Sequence, residues 1–368
     1  MKTVCEKDMC TGCHLCFDIC PKKAIEIRDT GFQLNAVMGE ACVDCGACKG
    51  KCPQNTNVNK NKYRFMKQGW AEDEKIRRDS SSGGVATALI KSFLERDGVV
   101  CSCIFDQGDF TFMITEDAAK YGAFKGSKYV KSDPSGMYRK IKEYLQNGRK
   151  VLMVALPCQI AAAKMYLGER YGEQFYTVDL ICHGTPSKEL LDSYLKECGV
   201  DIDGSDSISF RNGIKYGLSV NHKRLEPVGV VDLYLLSFLC STIFTENCYH
   251  CRYASTERVS DLTLGDSWDN TFPAAEKQKG ISLILCQTEK GKTLLDNAKL
   301  ELFDVDESRV LSSQAQLRSP SQKDKKREKF IMTYQNDHFM TAARRTFRYK
   351  WFKQRIKKIL ILMGLLRP

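Results

Sequence analysis

Two short runs near the N-terminus share one spacing of cysteines and a closing proline. Residues 10–21 read CTGCHLCFDICP and residues 42–53 read CVDCGACKGKCP, so each run has the form C-x2-C-x2-C-x3-C-P. Three thiolates at two-residue spacing can cap one [4Fe-4S] cluster from a single loop, and in runs of this form the fourth cysteine binds the other cluster. The repeat therefore predicts a small N-terminal domain that holds two [4Fe-4S] clusters.

The same rule assigns four cysteines to each cluster. The ligands predicted for the first cluster are Cys10, Cys13, Cys16 and Cys52. The ligands predicted for the second cluster are Cys42, Cys45, Cys48 and Cys20. Paired C-x2-C motifs also bind zinc, but the duplicated run with its terminal proline disfavours zinc. With short strands predicted at 24–27 and 32–34, residues 1–57 resemble a bacterial two-cluster ferredoxin.

Composition limits the class of protein. Of the 368 residues, 43% are hydrophobic and 27% are charged, which is typical of globular proteins and excludes collagen-like, coiled-coil and wholly disordered chains. The longest apolar stretch, residues 359–366, is far shorter than the roughly 20 residues that span a bilayer. The N-terminus lacks the apolar region of a signal peptide. We therefore expect a cytoplasmic protein whose 18 cysteines serve metal or redox chemistry instead of disulfides.

The remaining chain divides by its pattern into a linker, a core and a tail. Residues 58–68 are predicted to be a linker. Residues 69–317 are predicted to form an α+β core, in two parts at 69–150 and 151–317, because apolar runs near 151–156 and 175–181 flank a helical stretch. We also predict a strand at 228–235. The fold class is thus a ferredoxin domain joined to a mixed α/β core.

The tail, residues 318–368, carries the whole charge surplus of the chain. From Lys323 onward there are 14 Lys and Arg against three acidic residues, a net charge of +11, which equals the net charge of the full sequence. Eight of these cations lie between residues 344 and 358 with aromatic residues among them. This pattern predicts a basic amphipathic helix, which either contacts the inner face of a membrane or docks on a protein. No nucleic-acid motif is present, so no nucleic-acid partner is expected.

Four further cysteines stand out in the core. Cys158 and Cys182 each follow a predicted strand, and Cys248 and Cys251 form a close pair. Spacing alone leaves two interpretations open, a third [4Fe-4S] cluster or small buried thiols. Cys240 is a reserve candidate for such a cluster.

Several motifs of the core occur in an order that resembles a known family. They are SSSGGVATALI at 80–90, GSKY at 126–129, ALPCQIAA at 155–162, DLICHGTPS at 179–187, CYHCRYA at 248–254 and SDLTLGDSW at 260–268. Together they resemble the coenzyme F420 hydrogenase/dehydrogenase beta-subunit family. The resemblance implies an iron-sulfur flavoprotein that binds FAD. It favours a third [4Fe-4S] cluster on Cys158, Cys182, Cys248 and Cys251.

The resemblance also suggests where FAD binds. A Ser/Gly loop before a helix exposes backbone N–H groups and a favourable dipole to a pyrophosphate. The predicted FAD contacts are Ser81, Ser82, Gly83, Gly84, Thr87, Lys128 and Tyr129. No catalytic residue is assigned, and His183 is a candidate. No G-x-G-x-x-G motif follows a predicted strand, so the sequence does not indicate a Rossmann nicotinamide site.

These features predict an iron-sulfur flavoprotein oxidoreductase. It would pass electrons between a one-electron carrier, a ferredoxin-like protein or a partner oxidoreductase, and a two-electron organic substrate. Relatives with these motif variants suggest a surface-polysaccharide pathway, with a small-molecule or glycan-linked substrate. The family name does not by itself make coenzyme F420 the substrate. One alternative is a non-catalytic subunit that relays electrons to a partner enzyme. A second alternative is a zinc-binding scaffold in a glycan-assembly complex.

Overall fold

The computed structural model describes residues 2–366 and contains three β-sheets. The first is a hairpin in the cysteine-rich N-terminal segment, the second has three strands, and the third has eight. Within the described residues the strands are β1 (Ile25–Asp29), β2 (Leu34–Met38), β3 (Phe65–Ala71), β4 (Val99–Asp106), β5 (Asp109–Thr115), β6 (Val151–Ala155), β7 (Phe175–Leu180), β8 (Ile208–Asn212), β9 (Lys215–Val220), β10 (Lys223–Arg224), β11 (Leu262–Asp266), β12 (Ser282–Cys286) and β13 (Leu300–Asp304).

Helices cover both faces of the large sheet and make up the C-terminal region. Within the same residues the α-helices are α1 (Leu15–Ile19), α2 (Ala47–Lys51), α3 (Glu74–Arg78), α4 (Val85–Leu94), α5 (Met137–Gln146), α6 (Pro157–Leu167), α7 (Lys188–Glu197), α8 (Leu233–Leu239), α9 (Ala274–Lys279), α10 (Glu289–Asn297), α11 (Glu307–Ser313), α12 (Arg327–Asn336), α13 (Phe339–Thr346) and α14 (Arg348–Leu362). Short 3-10 segments include Glu246–His250.

The eight-stranded sheet positions the core cysteines. Its strand order is β13-β3-β12-β11-β7-β6-β4-β5, and β4, β6, β7 and β11 run parallel. Every residue of β6 is buried, as expected for a parallel strand that is covered on both faces. Because parallel strands end at the same edge, the segments that follow β6, β7 and β11 meet there. The mixed α/β core and the ferredoxin-like N-terminal domain predicted from the sequence are confirmed.

Two sequence-based boundaries differ from the structure. The sheet already includes β3, which begins at Phe65, inside the stretch predicted to be a linker, and pairs with β12 and β13. The strand predicted at 228–235 is wrong, because residues 233–239 form α8. The Asp232 carboxylate caps this helix by accepting a hydrogen bond from Leu235 N at 2.9 Å. A short apolar run alone does not distinguish a strand from a buried helix.

Much of the C-terminal region predicted as a tail packs into the core. Phe330 of α12, Phe339 of α13 and Phe347 are buried, and they join a cluster that contains Leu190 and Tyr234. The aromatic rings of Phe330 and Phe339 meet edge to face at 5.4 Å. Of the three described C-terminal helices α12, α13 and α14, only α14 has no buried residue. In the part of the chain that the structure describes, no helix has the length and apolar content that a bilayer span requires.

The cysteine-rich domain docks directly on the core. The Asp18 carboxylate accepts hydrogen bonds from Gly136 N at 2.7 Å and from Tyr138 N at 3.1 Å, at the beginning of α5. The Tyr138 hydroxyl donates to Cys13 O at 2.6 Å. A carboxylate at a helix N-terminus satisfies free N–H groups and interacts favourably with the helix dipole. The loop that carries Cys13 is therefore held against the core.

We predict that Phe339→Ala destabilises the protein by about 3–5 kcal/mol, since the side chain is fully buried among aromatic rings and its loss leaves a cavity. Urea unfolding followed by circular dichroism measures this change. The control is Met332→Ala on α12, where the side chain is 65% exposed and the change should stay within about 0.5 kcal/mol. Equal effects of the two substitutions would contradict the packing of α13 into the core.

Candidate functional site

The eight N-terminal cysteines line two adjacent cavities. The first ferredoxin cavity is lined by Cys10, Cys13, Cys16 and Cys52, together with Cys5. The second ferredoxin cavity is lined by Cys20, Cys42, Cys45 and Cys48. The tight turns that bring the thiols inward use left-handed backbone at Gly12, with φ of 66°, and at Gly46, with φ of 73°. The structure thus brings together both predicted sets of four, including the exchanged fourth cysteines.

A third cavity, the core cavity, lies at the carboxyl edge of the large sheet. Cys158 is in the first turn of α6 after β6, and Cys182 follows β7 by two residues. Cys248 lies in the 3-10 segment Glu246–His250, and Cys251 caps its end. All four line the core cavity. The pairing of Ala155 with Asp179 makes β6 and β7 neighbours, so Cys158 and Cys182 come close together.

The three cavities form a series. Thr11 and Gln54 line both the core cavity and the first ferredoxin cavity. Cys48 lines both ferredoxin cavities. Cys45 of the second ferredoxin cavity is exposed, whereas Cys10, Cys13 and Cys16 are buried. The series therefore runs from a solvent-exposed outer end to the interior of the core.

A half-buried lysine, Lys131, lies where the core cavity meets the first ferredoxin cavity. Lys131 Nζ donates hydrogen bonds to Thr11 O at 3.2 Å and to Thr185 Oγ1 at 3.0 Å, so it joins the ferredoxin loop to the loop after β7. Burial disfavours its positive charge, but nearby cysteine sulfurs, foremost Cys248, outweigh this and raise the pKa of Lys131. Sequence patterns gave no signal for this residue, because its partners lie on distant segments.

Polar groups surround the Cys248 sulfur. Thr185 N donates to it at 3.5 Å, and Asn247 Nδ2 donates at 3.7 Å. Although burial acts in the opposite direction, the charge of Lys131 and hydrogen bonds from Thr185 and Thr245 lower the pKa of this thiol. Such hydrogen bonds to sulfur set the reduction potential of a bound cluster. The other three core thiols have raised pKa values, chiefly because they are buried, and that of Cys182 reaches about 12.

A buried ion pair lies beside the segments that carry Cys182 and Cys251 of the core cavity. Arg258 Nη2 lies 2.9 Å from Asp179 Oδ1 and also donates to Leu180 O at 2.8 Å, while Arg258 Nη1 donates to Tyr253 O. The arginine thus ties the end of β7, before Cys182, to the segment after Cys251. Among the described residues Asp179 Oδ2 has no hydrogen-bond partner, so this carboxylate depends on Arg258.

The two segments predicted to contact FAD lie against each other. Ser127 N donates to Ser81 Oγ at 3.0 Å, which joins the loop before α4 to the loop that contains Lys128 and Tyr129. The side chains are largely engaged within the protein: Ser82 Oγ donates to Ile281 O, and Lys128 Nζ donates to Phe124 O. A Cβ on Gly83 would lie 2.4 Å from Gly69 O, so this glycine is required for packing.

The start of α4 has the free backbone N–H groups that can bind an anionic group. Its N-cap is Gly84, with φ of 81°, and no side chain caps the helix. The first-turn N–H groups and the helix dipole are therefore not offset by a capping carboxylate or hydroxyl. Thr87, in the same turn, is buried with its Oγ1 3.4 Å from Ser80 Oγ. The fit to a pyrophosphate thus rests on the backbone of this helix more than on the predicted side chains.

A polar cluster that includes Tyr129, one of the predicted FAD contacts, lies at the same edge of the sheet. Arg211 Nη1 lies 2.8 Å from Asp266 Oδ2 and 3.3 Å from the Tyr129 hydroxyl. Its guanidinium also stacks on the Tyr216 ring at 5.0 Å. His183 lines the core cavity, and burial lowers its pKa, with the Asp266 charge opposing. Burial therefore disfavours the charged form of this imidazole.

The remaining candidates lie in different surroundings. Cys240 Sγ is 3.0 Å from Lys350 Nζ, and Cys240 is not among the residues that line the core cavity. His250 is half exposed and pairs with Glu246, and Trp268 is 49% exposed after β11. Cys5 contacts Cys10, and this hydrogen bond lowers the pKa of the Cys10 thiol. Within residues 2–366 no three His, Cys, Asp or Glu side chains are spaced to bind a single metal ion.

Family models match most of the chain. The model of the N-terminal part of the coenzyme F420 hydrogenase/dehydrogenase beta subunit matches residues 66–136, and the model of its C-terminal part matches residues 148–307. A 4Fe-4S dicluster domain model matches residues 9–58. These matches follow the division between the cysteine-rich domain and the core.

Known proteins resemble the chain in its fold or in its ferredoxin segment. A subunit of the F420-reducing [NiFe] hydrogenase complex of Methanosarcina barkeri superposes with a TM-score of 0.52 at 18% identity, over 76% of this chain and 96% of that one. An uncharacterized ferredoxin of Methanocaldococcus jannaschii is 34% identical over 56 residues, 15% of this chain and 73% of the ferredoxin. The delta subunit of NADH-dependent phenylglyoxylate dehydrogenase of Aromatoleum evansii is 33% identical over 54 residues, 15% of this chain and 55% of that subunit. This chain therefore spans about half the length of that subunit.

We predict that Arg258→Met destabilises the protein by about 3–5 kcal/mol, since it leaves the buried Asp179 carboxylate without its partner. The double variant Arg258→Met/Asp179→Leu should recover most of the loss, because no unpaired charge remains. Urea unfolding under anaerobic conditions measures all three proteins. A double variant as unstable as the single variant would contradict this assignment.

Proposed function

The chain belongs to the coenzyme F420 hydrogenase/dehydrogenase beta-subunit family, with a 4Fe-4S dicluster domain at its N-terminus, and from this we propose that it is an iron-sulfur flavoprotein oxidoreductase. In this proposal it passes electrons between a one-electron carrier and a two-electron organic substrate. The observation that carries the proposal is the series of three adjoining cavities, each lined by four predicted cysteine ligands.

The proposed ligand sets follow the cavities. Cys20, Cys42, Cys45 and Cys48 hold the outer cluster, Cys10, Cys13, Cys16 and Cys52 hold the middle cluster, and Cys158, Cys182, Cys248 and Cys251 hold the core cluster. The exposed position of Cys45 makes the outer cavity the natural contact for an electron-carrier protein. Residues shared between neighbouring cavities keep the clusters adjacent, which favours electron transfer along the series.

A flavin supplies the conversion between single electrons and a hydride. We propose that FAD binds at the carboxyl edge of the sheet, with its pyrophosphate at the uncapped start of α4. At the same edge, Arg211 donates hydrogen bonds to the Asp266 carboxylate and to the Tyr129 hydroxyl. Their role in the proposal is to orient the flavin and the substrate. His183 lines the core cavity and is the candidate catalytic residue of this proposal.

Partners and pathway belong to the same proposal. The matched family names hydrogenase and dehydrogenase beta subunits, and the structural neighbour is part of a multi-subunit complex, which supports a partner oxidoreductase. We propose a small-molecule or glycan-linked substrate in a surface-polysaccharide pathway, used at the inner face of a membrane. The rival function is a relay subunit that holds clusters without flavin and hands electrons to a partner enzyme.

We predict that anaerobically purified protein contains FAD and three [4Fe-4S] clusters, and that Cys158→Ser loses about a third of the iron, because it removes a ligand of the core cavity only. Iron, sulfide and flavin assays with EPR spectroscopy measure this. The control is Cys198→Ser, a thiol at the end of α7 outside the three cavities, which should keep the full iron content. Cluster-containing protein without flavin would favour the relay, and colourless protein with zinc would favour the scaffold.

Lys131 carries a further prediction of the cluster series. Its fixed positive charge between the core and middle cavities stabilises an added electron on either side. We predict that Lys131→Met lowers the midpoint potential of the neighbouring clusters by about 60 mV or more. This corresponds to at least about a tenfold change in the equilibrium constant for one-electron reduction. Redox titration monitored by EPR measures the shift.

The matched control for Lys131→Met is Lys164→Met on α6. Lys164 is also half-buried, but the charges that act on it are those of Asp261, Lys290 and Asp179, with no cysteine among them. The cluster midpoint potentials of Lys164→Met should equal those of the wild type. Equal potentials in all three proteins would exclude Lys131 as an electrostatic link, whereas the absence of cluster signals in the wild type would contradict the clusters themselves.

A further inference from the structure

The C-terminal helix α14 is unusual in this molecule because it lies on the surface and is strongly basic. Its sequence, RYKWFKQRIKKILIL, contains six Lys and Arg and no acidic residue. None of its residues is buried. The question is therefore which face holds it to the protein and what the opposite face contacts.

One face of α14 is anchored. Gln354 Oε1 accepts a hydrogen bond from Val231 N at 3.0 Å, and Lys358 Nζ pairs with Glu226 at 2.8 Å. Trp351 packs against the large core cluster. These three residues are spaced by three and four positions, so they lie on one side of the helix. They fix the rotation of α14 about its own axis.

The far face carries an apolar stripe. Phe352, Ile356, Ile359 and Met363 are spaced by three and four positions and are 42–66% exposed. At 3.6 residues per turn, this stripe lies about 140° around the helix from the anchored face. Leu365 and Leu366 continue the exposed apolar surface beyond the end of the helix. The exposed side chains are thus contiguous and face away from the protein.

Cations border the stripe on both sides. Arg348 and Arg355 lie along one side, and Lys353 and Lys357 lie along the other. An apolar strip with flanking cations is the pattern of helices that lie in the plane of a bilayer interface, where anionic headgroups attract the cations. We propose that α14 docks the protein, parallel to the surface, on a membrane that contains anionic lipid.

Charge favours lipid over a second copy of this chain as the occupant. Pairing two α14 helices stripe to stripe would bring two sets of flanking cations together, with no carboxylate on either helix to offset them. Like charges at close range destabilise such an interface. Anionic headgroups instead provide the complementary charge, and acyl chains provide the apolar environment.

The lipid proposal is tested with full-length protein and vesicles. Co-sedimentation should detect binding to vesicles of phosphatidylcholine and phosphatidylglycerol in equal parts, weak binding to phosphatidylcholine alone, and loss of binding at high salt. Phe352→Gln/Ile359→Gln should reduce binding at least about tenfold, because both side chains leave the apolar stripe. Lys353→Gln/Lys357→Gln should reduce it about thirtyfold at low salt.

The matched control replaces exposed apolar residues elsewhere. Met332→Gln/Leu239→Gln removes two side chains of similar exposure, 65% and 44%, that lie outside α14, and should bind vesicles as the wild type does. Equal binding by Phe352→Gln/Ile359→Gln and wild type would overturn the proposal. So would sedimentation of the lipid-free wild type as a dimer that Phe352→Gln/Ile359→Gln converts to a monomer. Iron content, measured in parallel, is independent of either outcome.

Discussion

The arrangement of the cavities depends on the docking of the cysteine-rich domain against the start of α5. The Asp18 carboxylate accepts hydrogen bonds from two backbone N–H groups at the start of that helix, and the Tyr138 hydroxyl donates a hydrogen bond to the carbonyl oxygen of Cys13. Because these contacts are made by the loop that bears the thiols, the first ferredoxin cavity cannot separate from the core without breaking them. Lys131 adds a third attachment, from the core loop to Thr11. Adjacency of the cavities is thus built from backbone groups as well as from side chains.

Local patterns in the sequence predicted the features that depend on neighbours along the chain. The cysteines of each set predicted from the N-terminal spacing line one cavity, and Cys158 and Cys182, each predicted to follow a strand, line the core cavity. Predictions were weaker where a residue's environment comes from distant segments. Lys131, Arg258 and Arg211 each contact segments far away in sequence, and no periodicity marks such a contact.

The C-terminal region shows the same limit in another form. Its basic composition suggested one amphipathic tail, but Phe330 and Phe339 supply buried rings to the core, and only α14 remains at the surface. Net charge reports on the solvent-facing side chains of a helix, whereas a few apolar residues at helical spacing decide whether it packs. Which face of α14 is exposed depends on the contacts that anchor its other face, and composition does not show these contacts.

The exchange of cysteines between the two N-terminal runs has a consequence for how the protein matures. The first cavity is closed by Cys52 and the second by Cys20, while the core cavity needs Cys251. During synthesis, no cavity has its full set of thiols until residue 48 or 52 has emerged from the ribosome, and the core cavity lacks its full set until residue 251, about two thirds along the chain, has been made. Insertion of inorganic cofactors therefore has to follow translation of the segments concerned, and a nascent chain stalled early would present thiols that are open to oxidation.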